Sequence, residues 1–380
     1  MIRLFILDFD KGTGMGEGIK EKLWIGMFFI MLCGSQLCWL LWGKSVEEAG
    51  YENRAAAVCP AFSLETLEEY PALYEAYYND HLPWRDRLIH INSALAYFLF
   101  RSSSNQNVIR GQDGWLFYNS STDDNPIEAY KGMGLFTQDE LEQIADNLVV
   151  TANALAERGI EFVLFIAPNK ERIYAEHMPS YYGMPAEVYR AGQLVGYLER
   201  ETDIRVVYPY EALLAAKEQT ALPLYYRLDT HWNYIGAYTG SRELAAELGV
   251  RMPALEELAV EETAPTICDL ADMLHLRDEL NQDPDYVLSG YDMYHLVTDK
   301  HDLTGEYIYH CEGADQRKLF MLRDSFADAM DDFIASMFDA SYMVHYSSYT
   351  NELVDREQPD IFVYETVERR LGELLTFRIE

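Results

Sequence analysis

"FVLFIAP", Phe162 to Pro168, is an unbroken apolar run of strand length. A strand apolar at every position must be covered on both faces, which an open antiparallel sheet does not provide. Helical patterns flank it. Thr137 and Glu140 form a capping box, and Leu141, Ile144, Ala145, Leu148, Ala152 and Leu155 follow at helical spacing up to Gly159. Further on, residues 190–202 read as a helix, 205–208 as a strand and 233–248 as a helix. The alternation resumes with a strand at 319–322, a helix at 327–338, strands at 342–346 and 361–364, and a helix at 366–375. Strands alternating with helices predict an α/β domain over residues 126–380, a mostly parallel sheet flanked by helices. Such sheets carry their ligand sites at the carboxyl ends of the strands.

The rest of the chain breaks this rhythm. Residues 250–315, acidic and rich in Tyr and His, read as an irregular insertion or cap. Residues 43–125 read as a helical lead-in with short strands, including a turn at Asp113-Gly114 before "WLFY". Leu23 to Trp42 carries no charge and is long enough as a helix to span roughly 30 Å of bilayer. Trp24, Trp39 and Trp42 stand at its ends, as interfacial anchors do. Lys20 and Lys22 precede the run, which points to residues 1–22 inside and the bulk of the chain outside. A cleaved signal peptide is the rival reading, but no A-x-A site follows the run. The expectation is a single-pass, uncleaved membrane anchor at 23–42 with an extracytoplasmic domain, and Met15 as a candidate natural start.

Charge narrows the partners. The formal net charge is −33, all of it beyond the uncharged run. That argues against nucleic acid and anionic membrane surfaces as partners, since both need basic patches. The five cysteines show no CxxC spacing, so neither a disulfide framework nor a zinc site is readable. His275, His295, His301 and His310 lack ligand spacing, and "GQDG" lacks the rest of a calcium loop. No metal or cofactor is expected.

Two short stretches carry chemistry. "RDSFADAM" puts Ser325 at a strand-to-helix turn, at a strand's carboxyl end and near helix N-terminal N–H groups that can hold an oxyanion. A serine hydroxyl needs a base. "LDTHWNYIGAY" offers His231 as that base and Asp229 to orient its ring, since residues i and i+2 face the same way in an extended stretch. Capping is the plain alternative: Asp229 or Thr230 for the helix from Asn233, and Ser325 for its own helix. Asn169, Lys170 and Tyr174 lie near another strand end, as substrate or oxyanion candidates or as turn and packing residues. The same choice holds for His177. Glu365, Glu368 and Arg369 read as an ion-paired helix start.

"NDHLPWRDRL", "GQDGWLFY", "FIAPNKERIYAEHMP", "DTHWNYIGAY", "CDLADML", "RKLFMLRDSF" and "VYETVERRL" occur in this order over residues 77–372. With these pieces the chain resembles the DHHW family, SGNH-hydrolase-like proteins related to alginate O-acetyltransferases. The resemblance implies an SGNH-type α/β fold and an O-acetyltransferase of extracytoplasmic polysaccharide. It implies Ser325 as nucleophile, His231 as base and Asp229 as its partner, with acetyl groups supplied by a membrane-bound O-acyltransferase. Arg323 stands where SGNH esterases usually have glycine, and is a candidate for substrate or oxyanion contact. A carbohydrate acetylesterase and a non-catalytic polysaccharide-binding or assembly protein are the alternatives.

Overall fold

The computed structural model describes residues 17–42, 56–63, 66–82, 84–123, 125–265, 268–280, 282–290, 296–301, 305–312 and 314–380. Contacts divide it into two compact units, Met1–Asn92 and Ser93–Glu380. In the first unit, helices run over Glu17–Trp42, Tyr70–Asp80 and from Arg85 toward Ala94. The run expected as an anchor, 23–42, lies in the first of these. Several of its side chains fall outside the described residues, as do Met15 and residues 43–55. Among the described residues no helix is long and apolar enough to cross a membrane.

The second unit holds the strands β1 (Val108–Arg110), β2 (Leu116–Tyr118), β3 (Glu161–Ala167), β4 (Arg205–Val207), β5 (Ala259–Thr263), β6 (Asp285–Ser289), β7 (Leu296–His301), β8 (Glu306–Cys311), β9 (Asp315–Arg323), β10 (Phe338–His345) and β11 (Ile361–Val367). Seven make one sheet in the order β4-β3-β11-β9-β10-β8-β7. Five of them, β4 to β10 in that order, run parallel. The sheet as a whole is mixed, not mostly parallel. β8 pairs antiparallel with β10, and β7 antiparallel with β8. The physical reason for the second pairing is chain length: four residues separate β7 from β8, too few for the crossover a parallel pair needs.

This also corrects the reading of residues 250–315. The stretch supplies β7 and β8 to the main sheet, a β5–β6 ladder and a short helix at Asp269–Met273. Its strands mix polar and apolar residues without a fixed period, as "AVEET" and "LVTDKH" do, so they lack the continuous apolar signature of the central ones.

The central strands are covered on both sides. Val163, Phe165 and Ala167 of β3 belong to one buried cluster; Phe162, Leu164 and Ile166 belong to the other. β9 and β11 divide their side chains in the same way. The helix Tyr234–Glu247 packs on the first face through Ile235, Tyr238 and Leu244. The helices Gln138–Ala156 and Arg190–Glu201 pack on the second through Leu141, Ile144, Leu148, Leu194 and Leu198. The Thr137–Glu140 capping box is formed. The helix expected at 327–338 is shorter, Asp331–Ala335, because β10 begins at Phe338. The one expected at 366–375 is a 3-10 helix, Glu368–Leu375, because β11 runs on to Val367.

The chain enters the sheet at β3 and steps outward to β4. It later steps outward the other way from β9 to β10, and closes the gap with β11. The carboxyl ends of β3, β11 and β9 therefore lie side by side where the winding reverses, the usual place for a ligand crevice.

Candidate active site

Ser325 opens a 3-10 turn, Ser325–Ala329, just beyond the carboxyl end of β9. The turn's cap is Asp324, not Ser325. Asp324 Oδ1 accepts the Phe326 N–H (2.8 Å), and Oδ2 accepts the Val367 N–H (2.8 Å). The Ser325 hydroxyl is thereby free of capping, and the Phe326 N–H is not available to an oxyanion. The second loop, 225–232, is closed by a bridge between Tyr225 and Trp232. The following helix is capped by Asn233, whose Oδ1 accepts from Ile235 and Gly236. Neither Asp229 nor Thr230 caps it.

The two loops meet. His231 Nε2 lies 2.9 Å from Ser325 Oγ, and His231 Nδ1 lies 2.7 Å from Asp229 Oδ1. Trp232 fastens them together by donating its Nε1–H to the Phe326 carbonyl (2.8 Å). Asp229 is almost wholly buried (1 %) and accepts three N–H groups: His231 Nδ1, the His231 backbone (2.9 Å) and the Asp269 backbone (2.7 Å). Burial acts to raise its pKa, but the hydrogen bond and charge of His231 prevail and hold it at about 2. Asp229 is thus ionised and can only accept, so the Nδ1 proton belongs to His231. Nε2 is then the acceptor for the serine hydroxyl. Burial acts to lower the His231 pKa, and the hydrogen bond and charge of Asp229 outweigh it and raise it.

Asp269 is the residue that sequence reasoning passed over. "CDLADML" was part of the family pattern but carried no role. Asp269 accepts the Thr230 N–H (2.8 Å) and hydroxyl (2.6 Å), and its Oδ2 lies 4.0 Å from His231 Nδ1. Burial and the neighbouring Asp229 push its carboxyl up to about 6. Asp229, His231 and Asp269 bring possible metal-ligand atoms within 4.8 Å of one another. Those atoms are occupied by hydrogen bonds to each other and to Thr230, which suits a proton relay better than a metal.

The remaining sequence candidates are not brought to the reacting atoms. A cavity of about 350 Å³ opens over Ser325 and His231, and neither Asn169, Lys170, Arg323 nor Tyr174 lines it. Lys170 is a buried brace rather than a solvated lysine. Its Nζ donates to the carbonyls of Tyr226 (3.1 Å), Arg227 (3.4 Å) and Asp229 (2.5 Å), and burial lowers its pKa to about 8. The buried Asn169 donates its backbone N–H to Glu368 (2.9 Å). Arg323 turns away under the loop, bonded to the Asp324 carbonyl (3.1 Å) and Asp328 (2.7 Å) and stacked over Tyr307. Tyr174 stacks on Trp115, which also stacks on His177, and its hydroxyl accepts the Leu224 N–H (2.8 Å). These are packing roles.

The expected ion-paired helix start at 365–369 is half wrong. Arg369 does pair, with Asp123 (3.0 Å). Glu365 and Glu368 are buried carboxyls bonded to the N–H groups of Asp324 and Asn169 (both 2.9 Å), each with its Oε1 unpartnered among the described residues. Burial raises both pKa values, that of Glu368 to about 7. Of the histidines outside the loops, His295 and the side chain of His301 lie outside the described residues.

Residues 108–290 match the family model described as the SGNH hydrolase-like domain of the acetyltransferase AlgX; the match takes in Asp229 and His231 and ends before Ser325. The chain is 31% identical over 180 residues to the probable alginate O-acetylase AlgJ of Pseudomonas aeruginosa, covering 46% of this chain and 41% of that one. It is 30% identical over 220 residues to the probable alginate O-acetylase AlgJ of Pseudomonas syringae pv. tomato, covering 53% and 50%. The chain thus spans half or less of the length of these curated relatives. Bacillus cereus PatB1, solved with a sulfonyl adduct, shares the fold with a TM-score of 0.52 at 15% identity, over 72% of this chain and 100% of that one. Residues 108–290 are thus similar to an SGNH hydrolase-like domain, and about half of the chain is similar to part of the probable alginate O-acetylases.

Proposed function

We propose that the chain is an O-acetyltransferase of polysaccharide that works through an acetyl-enzyme on Ser325. The observation that carries this reading is the unbroken hydrogen-bonded line from Ser325 through His231 to an ionised Asp229, at a cavity. Ser325 Oγ attacks the acetyl carbonyl of a donor while His231 Nε2 takes its proton. The imidazolium then returns that proton to the departing group. A sugar hydroxyl, deprotonated by the same Nε2, attacks the acetyl-enzyme; the Oγ–acetyl bond breaks, His231 returns the proton to Ser325 Oγ, and the sugar leaves acetylated. Asp229 stays ionised throughout and offsets the charge that forms on His231.

The polymer in the relatives' names does not carry over with the chemistry, because the matched segments cover so little of those proteins. The uncharged run 23–42 is read as a single-pass anchor that holds the domain outside the membrane. Acetyl-CoA is absent there, so a membrane-bound O-acyltransferase is the proposed acetyl supplier.

A serine-directed fluorophosphonate should label Ser325 in the full chain. Ser325→Ala should lose both the label and acetyl transfer from a chromogenic ester, at least about 10³-fold, while keeping its melting temperature. Transfer retained by that variant ends the proposal. Running the ester with and without an oligosaccharide separates transfer from hydrolysis: an acetylesterase would release acetate at the same rate in both.

A further inference from the structure

The cavity over Ser325 is lined by five aspartates, Asp229, Asp269, Asp272, Asp285 and Asp328. Against them stand the imidazole of His231, one lining guanidinium, Arg277, and from outside the lining Arg323, which pairs with Asp328. Arg277 is already committed: its Nε donates to Asp272 Oδ1 (2.6 Å), and a second guanidinium nitrogen bonds Oδ2 of the same carboxylate. Two cations behind the wall are committed as well: Arg323 to Asp328 (2.7 Å) and the Asp324 carbonyl, and the buried Lys170 to three backbone carbonyls. The wall is thus rich in hydrogen-bond acceptors and poor in cations. A chain of net charge −33 adds to the same field, and a cleft with low-dielectric walls concentrates it. Tyr234, 38% exposed at the cavity, adds an aromatic face of the kind a sugar ring packs on.

Resting on the acetyltransferase reading, we infer that the acceptor is a glycan whose reacting unit carries no carboxylate, neutral or amino-bearing, and that the site rejects polyuronates. Sugar hydroxyls donate well to carboxylates, and an ammonium does so with its charge matched. A uronate carboxylate would enter among like charges with no uncommitted guanidinium to pair it, and carboxylate recognition ordinarily relies on one. Charge of this kind acts mainly as discrimination between ligands.

The test uses the full chain and three acetyl esters of similar size: a neutral phenyl acetate, one bearing a carboxylate and one bearing a quaternary ammonium. The expected kcat/KM is at least about tenfold lower for the carboxylate ester than for the neutral one, no lower for the cationic ester, and the gap narrows as salt is raised. Asp272→Asn, which releases Arg277, should raise the carboxylate ester relative to the neutral one. In parallel, oligomers of glucose, of glucosamine and of mannuronate are offered as acceptors, and their binding to the Ser325→Ala protein is measured by calorimetry. Carboxylate and neutral esters turned over within about threefold of each other, or mannuronate oligomers accepted or bound as well as the uncharged ones, would overturn the inference. Loss of turnover on all three esters would count against the acetyl-enzyme instead. The binding comparison then decides the acceptor class by itself.

Discussion

His231 stands between two carboxyls with different jobs. Asp229 touches it directly and is ionised far below neutrality; Asp269 stands one step back, holding Thr230. The proton balance gives stability and activity opposite slopes. His231 has a raised folded pKa, so its stabilising contribution is full below its ordinary value of about 6.5 and is lost as pH rises through the raised one. The proposed reaction needs the neutral ring, so turnover should climb through that same raised value. Asp229, held at about 2, contributes at neutral pH and loses its contribution only as pH falls toward that value. Asp229→Asn should lower turnover by about 10²–10⁴-fold and move the acid limb of the pH–rate profile downward, because the ring loses the charge that raised it. An acid limb unchanged in that variant would show that Asp229 does not set the base. The Asp-x-His pair and the serine turn were legible in sequence because each needs only local spacing. Asp269 and Lys170 were not: one acts on a loop 39 residues away, the other on a loop 56 to 59 residues away, and no local pattern marks such a reach.

At the level of elements, the site depends on how three strand ends are tied. Asp324 at the end of β9 receives the Val367 N–H from the end of β11, and Glu365 of β11 receives the Asp324 N–H in return. Glu368, the next residue out, ties β11 to the loop after β3 through Asn169 and to Tyr208 (3.2 Å). Its carboxyl is buried, and burial raises its pKa from 4.5 to about 7. Between those values the folded chain holds a proton that the unfolded chain has released, so stability falls as pH rises through this window. Glu368→Gln keeps one carbonyl oxygen, which can accept both the Asn169 N–H and the Tyr208 hydroxyl as Oε2 does here, and cannot ionise. It should match the parent protein near pH 4.5 and exceed it by up to about 3 kcal/mol at pH 8, read by urea denaturation at each pH. Equal stability of the two proteins at pH 8 would mean the carboxylate is better solvated than its burial implies. Periodicity found β3, β9 and β11 because they are apolar on both faces. It misread the 365–369 segment, since a carboxyl buried beside a backbone N–H looks the same in sequence as one paired with a neighbouring arginine. The helix Tyr234–Glu247 shows a similar limit. A side chain at Gly236 would collide with the Leu224 carbonyl, which accepts the Asn233 N–H (2.9 Å), and nothing in the local pattern marks that close approach.

For the whole molecule, the question is which part of the chain the chemistry requires. Among the described residues every buried apolar cluster is built from residues beyond the first unit: two cover the two faces of the main sheet, and the third packs Tyr97, Val108 and Leu116 against the segment 268–276. The loop carrying His231 rests on that third cluster through Leu228, and the Leu116 N–H donates to the Arg227 carbonyl (2.8 Å). The site therefore needs β1 and β2, which periodicity alone assigned to a lead-in ahead of the α/β domain. A fragment of residues 93–380 contains all of these clusters and the complete Ser325–His231–Asp229 line. It should unfold in a single cooperative transition, take the fluorophosphonate label at a rate within about threefold of the full chain, and remain soluble without detergent. A fragment of residues 126–380 lacks β1 and β2. It should lose the label at least about tenfold, because the carbonyls and side chains that seat the 225–232 loop would have no partner there. Equal labelling of the two fragments would show that the loop holds its shape unaided, and the two strands would then be a covering of the site and no part of its support.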